Sequence, residues 1–180
     1  MLDTLITSKT RIKLLLKFFL NSKTRSYLRG LAEEFGESSN AIRVELNRME
    51  EAGLLSADNE GNKKMYQANV LHPLFNDIHN IILKHVGIDK VIQEMVIRVG
   101  EPDSAWLVGD FAEGKDGKII DLILVGEDLD KNYLNRISTK VEAMIKRKVR
   151  YMVISPEEAS DFIGHQSRAL MIWRKDQEWK

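Results

Sequence analysis

Three apolar patterns of helical period follow one another within the first 53 residues, and only short breaks separate them. In residues 9–20, Ile12, Leu15, Leu16, Phe19 and Leu20 recur three and four positions apart and mark one face of a helix. Asn21 and Ser22 interrupt it. A second, shorter helix is predicted with Ser26 as its cap, Leu28, Leu31, Ala32 and Phe35 facing inward, and Gly36 as its stop. Ser38 or Ser39 caps a third helix, which runs from Asn40 to Ala52 and ends at Gly53. Its inner positions are Ile42, Leu46 and Met49, and its outward positions include Ser39, Asn40, Arg43 and Asn47. Helices joined by such tight turns form a helix-turn-helix unit.

A hairpin is expected next. Leu54 and Leu55 begin a strand, Asn59–Gly61 reads as a turn, and Met65 and Tyr66 fall in the returning strand. Lys63 and Lys64 lie just past the turn. A helix-turn-helix followed by such a hairpin is a winged helix. The third helix then presents short polar groups and one arginine, which suit base edges in a major groove. Lys63 and Lys64 suit phosphates or the adjoining minor groove, and Arg25 and Arg29 on the second helix suit the duplex backbone. A winged helix used only for protein contacts is the alternative.

Charge bears on that choice. The chain has 180 residues with 27 Lys+Arg against 27 Asp+Glu, a formal net charge of zero, which by itself speaks against a nucleic-acid partner. The distribution is uneven: residues 1–30 carry Lys9, Arg11, Lys13, Lys17, Lys23, Arg25 and Arg29 against the single acid Asp3. A local basic footprint is therefore expected rather than a generally basic protein. There is no cysteine, which removes disulfides, thiolate zinc sites, iron–sulfur clusters and a thiol nucleophile together. Lys13 and Lys17 interrupt the apolar run near the start, so neither a membrane span nor a secretory signal is expected, and a cytoplasmic address is the default.

The stretch from Arg25 to Asn69, above all LAEEFGESSNAIRVELNRMEEAGLL, resembles the DNA-binding domain of bacterial ArsR- and MarR-like winged-helix regulators. The resemblance covers about residues 8–68 and implies a repressor or regulator that binds a palindromic operator as a dimer. Metal sensing in ArsR-like regulators generally uses Cys or His ligands. Here His72, His79, His85 and His165 form no dense ligand motif, and each reads as a core or surface histidine.

Val70 to Val86 carries Leu71, Leu74, Phe75, Ile78, Ile81, Ile82 and His85 at helical spacing, with Pro73 suited to the first turn. This helix either packs on its own domain or, as the resemblance implies, supplies the dimer contact. Gly87 ends it. Ile88 to Val99 is a further helix with Val91, Ile92, Met95 and Val96 inside, closed by Gly100. The expected organisation is a winged helix at 1–70, a helical connector at 71–100 and a second domain at 101–180.

That second domain alternates strands and helices. Ala105, Leu107 and Val108 mark a first strand, FAEGKDGK a turn-rich connection, and Ile119 to Val125 a second strand. Leu129 to Lys146 is a helix with Leu134, Ile137, Val141, Met144 and Ile145 on one side. Val149–Ile154 is a strand, Pro156 opens a helix over Glu157–Phe162, and Ala169–Trp173 is a last strand. The fold class is α+β, with a small mixed sheet in this domain. Trp106 and Trp173 read as packing residues, and Trp179 as part of a tail or a partner contact. Asp110, Asp121, Asp128 and Asp130 lack calcium-loop spacing, and Gly109, Gly114 and Gly117 form no phosphate-binding glycine motif.

The layout LVGDFAEGKDGKIIDLILVG resembles the core of minimal nucleotidyltransferases of the polymerase beta superfamily, over about residues 88–175. The resemblance implies a Gly-Ser turn for a triphosphate, an Asp-x-Asp on the second strand and a third carboxylate on the next. Alternate strand residues point the same way, so such acids converge on two magnesium ions. This chain keeps Gly109 but has Asp110 in place of the serine, Ile119 in place of the first acid, Asp121 as the second, and Arg150 in the third acidic position. A domain that kept the fold and lost catalysis follows, with no cofactor and no bound metal expected. The first reading is a dimeric DNA-binding regulator, not an enzyme, whose C-terminal domain serves as sensor or interaction module. The alternatives are a magnesium-dependent nucleotidyltransferase, in which Asp110 replaces part of the missing set, and one half of a toxin–antitoxin-like pair.

Overall fold

The computed structural model describes residues 2–165 and 169–176; Trp179 and the side chain of His165 lie outside the described part. The protein is α+β, with helices and two small sheets. It divides into two compact units, Met1–His85 and Val86–Lys180, so the segment 71–100 is shared between them.

The first unit begins with α1 (Leu2–Leu5) and α2 (Lys9–Leu15). Ser8 caps α2 by accepting a hydrogen bond from the Arg11 amide. The expected helix over 9–20 is α-helical only in its first half and widens into a π-helical turn over Leu16–Leu20. Leu14, Leu16, Phe18, Phe19 and Leu20 are all buried, so this segment has apolar groups on every side and no single inner face.

The break after Leu20 holds a short strand, β1 (Ser26–Tyr27), ahead of α3 (Leu28–Phe35). Ser26 therefore does not cap α3. It pairs with Tyr66 in the sheet, and extended Tyr27 takes the cap position with no side-chain bond. α4 (Ser39–Glu51) starts from Ser38, whose hydroxyl accepts the Ala41 amide, and Ile42, Leu46 and Met49 are buried along it as expected. β2 (Leu55–Glu60) and β3 (Lys63–Ala68) follow. Their connection is Gly61–Asn62, one position beyond the expected turn, because Asn59 stays in the ladder opposite Lys64. Gly61 supplies the positive φ of 58° that this tight connection needs. The strand order is β1-β3-β2, antiparallel throughout, and α4 packs on α2, α3 and β2.

The next helix, α5 (Phe75–Val86), starts five residues later than expected. Side chains compete for the backbone ahead of it. Asn69 donates to the Gly53 carbonyl and accepts the Leu71 amide, and His72 Nδ1 accepts the Leu74 amide. Pro73 consequently lies in the turn before the helix rather than in its first turn.

The second unit opens with α6 (Ile88–Val91), which continues as a π-helical turn over Ile92–Val96 and stops short of Val99. Gly87 adopts φ 88°, and a Cβ there would lie 2.7 Å from Ile145 Cβ, so the close approach admits only glycine. The sheet runs β6-β5-β4-β7, with β4 (Ser104–Val108), β5 (Ile119–Val125), β6 (Lys148–Ile154) and β7 (Leu170–Arg174). β5 and β6 are parallel and the other pairs antiparallel. The parallel pair needs a crossover, and α7 (Lys131–Ile145) supplies it, capped by Asp130 rather than starting at Leu129. Leu134 and Val141 are buried on α7, whereas Met144, expected inside, is 50% exposed at the margin of that stripe. α8 (Pro156–His165) is longer than expected, and its Phe162 and Ile163 pack with Trp106 and Val108 on Ile123, Val125 and Ile154.

Candidate functional site

The outer face of α4 is an open polar surface of the first unit. Ser39, Asn40, Arg43 and Asn47 are all exposed. Among the described residues no ion pair or hydrogen bond engages Asn40, Arg43 or Asn47 through the side chain. Arg29 on α3 is exposed in the same way. Two further members of the α4 face, Val44 and Arg48, were not singled out from sequence. Continuing the spacing from Asn40 by four and eight positions finds them. Arg48 approaches Glu45 at 3.6 Å but leaves its side chain largely exposed.

The expected basic footprint over residues 1–30 is open only in part: Lys9, Lys23 and Arg29 are exposed without an ion pair among the described residues, whereas the others are engaged. Arg11 Nε donates to Glu45 at 2.8 Å, Lys13 reaches Glu37 at 2.6 Å, and Lys17 reaches Glu34 at 2.8 Å. The first helix is thus tied to acids on and beside α3 and α4, which are remote in sequence. Glu45 is buried, which alone would raise its pKa; hydrogen bonds from Arg11 and Ser8 and the charges of Arg11 and Arg48 outweigh burial and hold it below its ordinary value. Glu37 is lowered in the same balance, with burial opposed by Lys13 and Thr10.

The expected phosphate contacts of the hairpin also have partners. Arg25 forms a pair with both Asp58 oxygens at 2.7 and 2.8 Å and approaches Glu60 at 3.4 Å. Its pKa is raised, first by the Asp58 hydrogen bond and then by the Asp58 charge. Lys64 is held by Glu50 at 2.6 Å, which raises its pKa. Lys63 lies 4.3 Å above the Tyr27 ring centroid.

In the second unit the five positions read from the nucleotidyltransferase resemblance converge at one end of the sheet. Asp121 faces Val108 across the antiparallel ladder and Arg150 across the parallel one. Arg150 grips it side-on, Nε to Oδ1 at 2.6 Å and Nη2 to Oδ2 at 2.9 Å, and its own pKa is raised by that bond. Gly109 has φ 66°, and a Cβ there would come 3.0 Å from Asp121 Oδ2. Asp110 instead packs against Gly117, where an added Cβ would meet its Oδ2 at 3.0 Å. Ile119 stands opposite Lys148. A groove of about 250 Å³ runs from the Asp121–Arg150 pair along Ile123, Met152 and Phe162.

These residues do not fit a pair of magnesium ions with a nucleotide. The surviving carboxylate is occupied by a guanidinium, and cations rather than acids line the neighbouring strand. Among the described residues, no group of three or more His, Cys, Asp or Glu is disposed to hold a metal ion. His79 Nδ1 lies 2.7 Å from the Phe19 carbonyl and stacks on Phe75, and His72 serves the turn before α5. No helix among the described residues is long and apolar enough to cross a membrane. No protein-family model matches the chain, and a search of curated proteins finds no relative.

Glu45 yields a prediction with a definite pH signature. Its folded-state pKa is depressed, so its contribution is present above the unfolded value and lost as pH falls through the folded one. Glu45→Gln is expected to lower stability by about 1.5–3 kcal/mol at neutral pH, the range for hydrogen bonds to a charged group. In urea unfolding followed by circular dichroism, the gap to wild type should begin to narrow near about pH 4, where unfolded glutamate takes up its proton while folded Glu45 is still ionised, and close only as pH falls through the lowered folded value. A gap that persists unchanged into acid would refute the ionic account.

Proposed function

We propose that the chain is a DNA-binding transcriptional regulator, a dimeric repressor in its simplest form, with a winged helix in the first unit and a catalytically inactive nucleotidyltransferase-like domain in the second. The observation that carries the reading is the outer face of α4. A helix whose inner apolar stripe is buried holds out serine, asparagine and arginine that no side-chain hydrogen bond or ion pair engages among the described residues. Unpaired asparagine and arginine side chains read base edges by paired hydrogen bonds, and the order helix, short strand, helix, helix, hairpin suits placing such a helix in a major groove. Arg29 is free to meet phosphate. A cytoplasmic address follows from this role.

Pairing of two copies is supported by apolar side chains without cover. Leu71 is 89% exposed and Leu74 is also exposed in the turn before α5, and Ile81 is exposed on α5 itself. An isologous contact through these side chains would give two recognition helices the two-fold relation that a palindromic site requires. The absence of nucleotidyl transfer is supported by the Asp121–Arg150 pair, which leaves no free acid in the expected place.

Three measurements test these parts. Duplexes selected from a random pool by the wild-type protein should bind Asn40→Ala and Arg43→Ala each about 10- to 100-fold more weakly, the worth of one good base contact. Thermal unfolding should be unchanged, because both side chains are exposed. Equal affinity in both variants would remove α4 as the reading element. Sedimentation should show a dimer for wild type and a monomer for Leu74→Lys; a wild-type monomer at high concentration defeats the pairing. Calorimetry with ATP and magnesium should give no binding heat, and nucleotide-dependent labelling of any acceptor would restore the enzymatic alternative.

A further inference from the structure

Two cations of the hairpin region, Arg25 and Lys64, are charge-matched, one on each side of the sheet, while Lys63 lies over the Tyr27 ring, and this has a functional meaning if the first unit binds a duplex. Asp58 pairs with Met65, Met65 with Tyr27, and Glu60 with Lys63, so Arg25, Tyr27, Lys63, Asp58 and Glu60 belong to one side. Lys64, one residue on, belongs to the other and is met there by Glu50 from the end of α4. Arg25 spends two donor contacts on Asp58 and a longer one on Glu60. All of these acids reach solvent, Asp58 and Glu60 most of all. A phosphate can therefore displace them, since pairs of this kind are weak in water.

We propose that Asp58, Glu60 and Glu50 are counter-charges that suppress binding to DNA of arbitrary sequence. The inference rests on the DNA-binding reading above. Free cations gain affinity for any duplex by releasing condensed counterions from phosphates. A cation already matched by a carboxylate gains less, because the displaced acid stays within a Debye length of the same phosphates and repels them. Arg25 and Lys64 then place the hairpin against the backbone without supplying much sequence-independent affinity. The contacts of α4 with bases carry the remainder. The acids are thus specificity-determining residues that never touch the preferred base sequence.

The test uses the full chain and a labelled mixed-sequence duplex, titrated by fluorescence anisotropy over a range of salt. Asp58→Asn/Glu60→Gln is expected to bind about 10-fold tighter at low salt, with the slope of log affinity against log salt steeper by about 0.9 for the one cation released. Glu50→Gln should steepen it by a similar amount through Lys64. Adding Arg25→Ala to the Asp58/Glu60 variant should abolish its gain in slope, an effect that a general change in net charge would not produce. These amide replacements keep shape at exposed positions, and unchanged thermal unfolding checks the fold. Affinity and slope equal to wild type in both acid variants overturn the proposal while leaving DNA binding in place. A gain in slope that survives Arg25→Ala overturns it as well. No binding by wild type or any variant at low salt overturns the DNA-binding reading itself.

Discussion

The first unit is arranged around a segment with no side left for water. Leu14, Leu16, Phe18, Phe19 and Leu20 are all but fully buried within seven consecutive residues, and Lys17 among them is only 5% exposed. Burying a large apolar side chain is worth about 1.5–3 kcal/mol, whereas an exposed ion pair is worth about 0–1 kcal/mol. Apolar burial therefore dominates, and the charges follow from it. A lysine in that position has to meet an acid, because a buried ammonium without one is strongly unfavourable. Glu34 on α3 meets it at 2.8 Å. Lys13 and Arg11, about one and two turns earlier, find Glu37 and Glu45 in the same way. The ion pairs fix how α2 lies against its neighbours more than they hold the unit together.

This arrangement explains which features could be read from the sequence. Ile42, Leu46 and Met49 are set by the period of one helix, and that period is local information. β1 is two residues long, and Ser26 becomes strand instead of cap only because Tyr66, forty residues on, pairs with it. The late start of α5 depends on Asn69 reaching the Gly53 carbonyl, another contact across the chain. Both π-helical turns lie in apolar-rich stretches, Leu16–Leu20 buried throughout and Ile92, Met95 and Val96 buried beside the more open Gln93 and Glu94, where the apolar spacing does not distinguish a π turn from an α turn. The basic run at the start is only partly open for the same reason. Its bases and the acids that match them are 17 to 34 positions apart in the pairs Lys17–Glu34 and Arg11–Glu45. A count along the chain sees polarisation where the fold makes pairs.

The second unit applies the same rule to a smaller set. Asp121 and Arg150 were singled out separately, one as a surviving acid and the other as a base in an acid's expected place. The parallel register of β5 and β6 sets them opposite each other, and the bidentate geometry makes the two departures into one structural fact. Gly109 belongs to it too, because its lack of a side chain gives Asp121 Oδ2 its room. The strand alternation that would have gathered acids around cations here gathers an acid and a base that neutralise each other.

A chain of zero net charge can still present a charged surface if its matched pairs and its unmatched groups lie in different places. In the first unit Arg11, Lys13, Lys17, Arg25 and Lys64 are matched by acids, and Arg29 and Arg43, on α3 and α4, are among the bases left without an ion pair among the described residues. Affinity drawn from few unmatched cations is small and strongly dependent on geometry, whereas a general excess of base would bind any polyanion. Neutral totals and selective contact are therefore compatible. With Arg11, Lys13, Arg25 and Lys64 held by acids, the outer face of α4 keeps an arginine and two asparagines that no side-chain hydrogen bond or ion pair engages among the described residues.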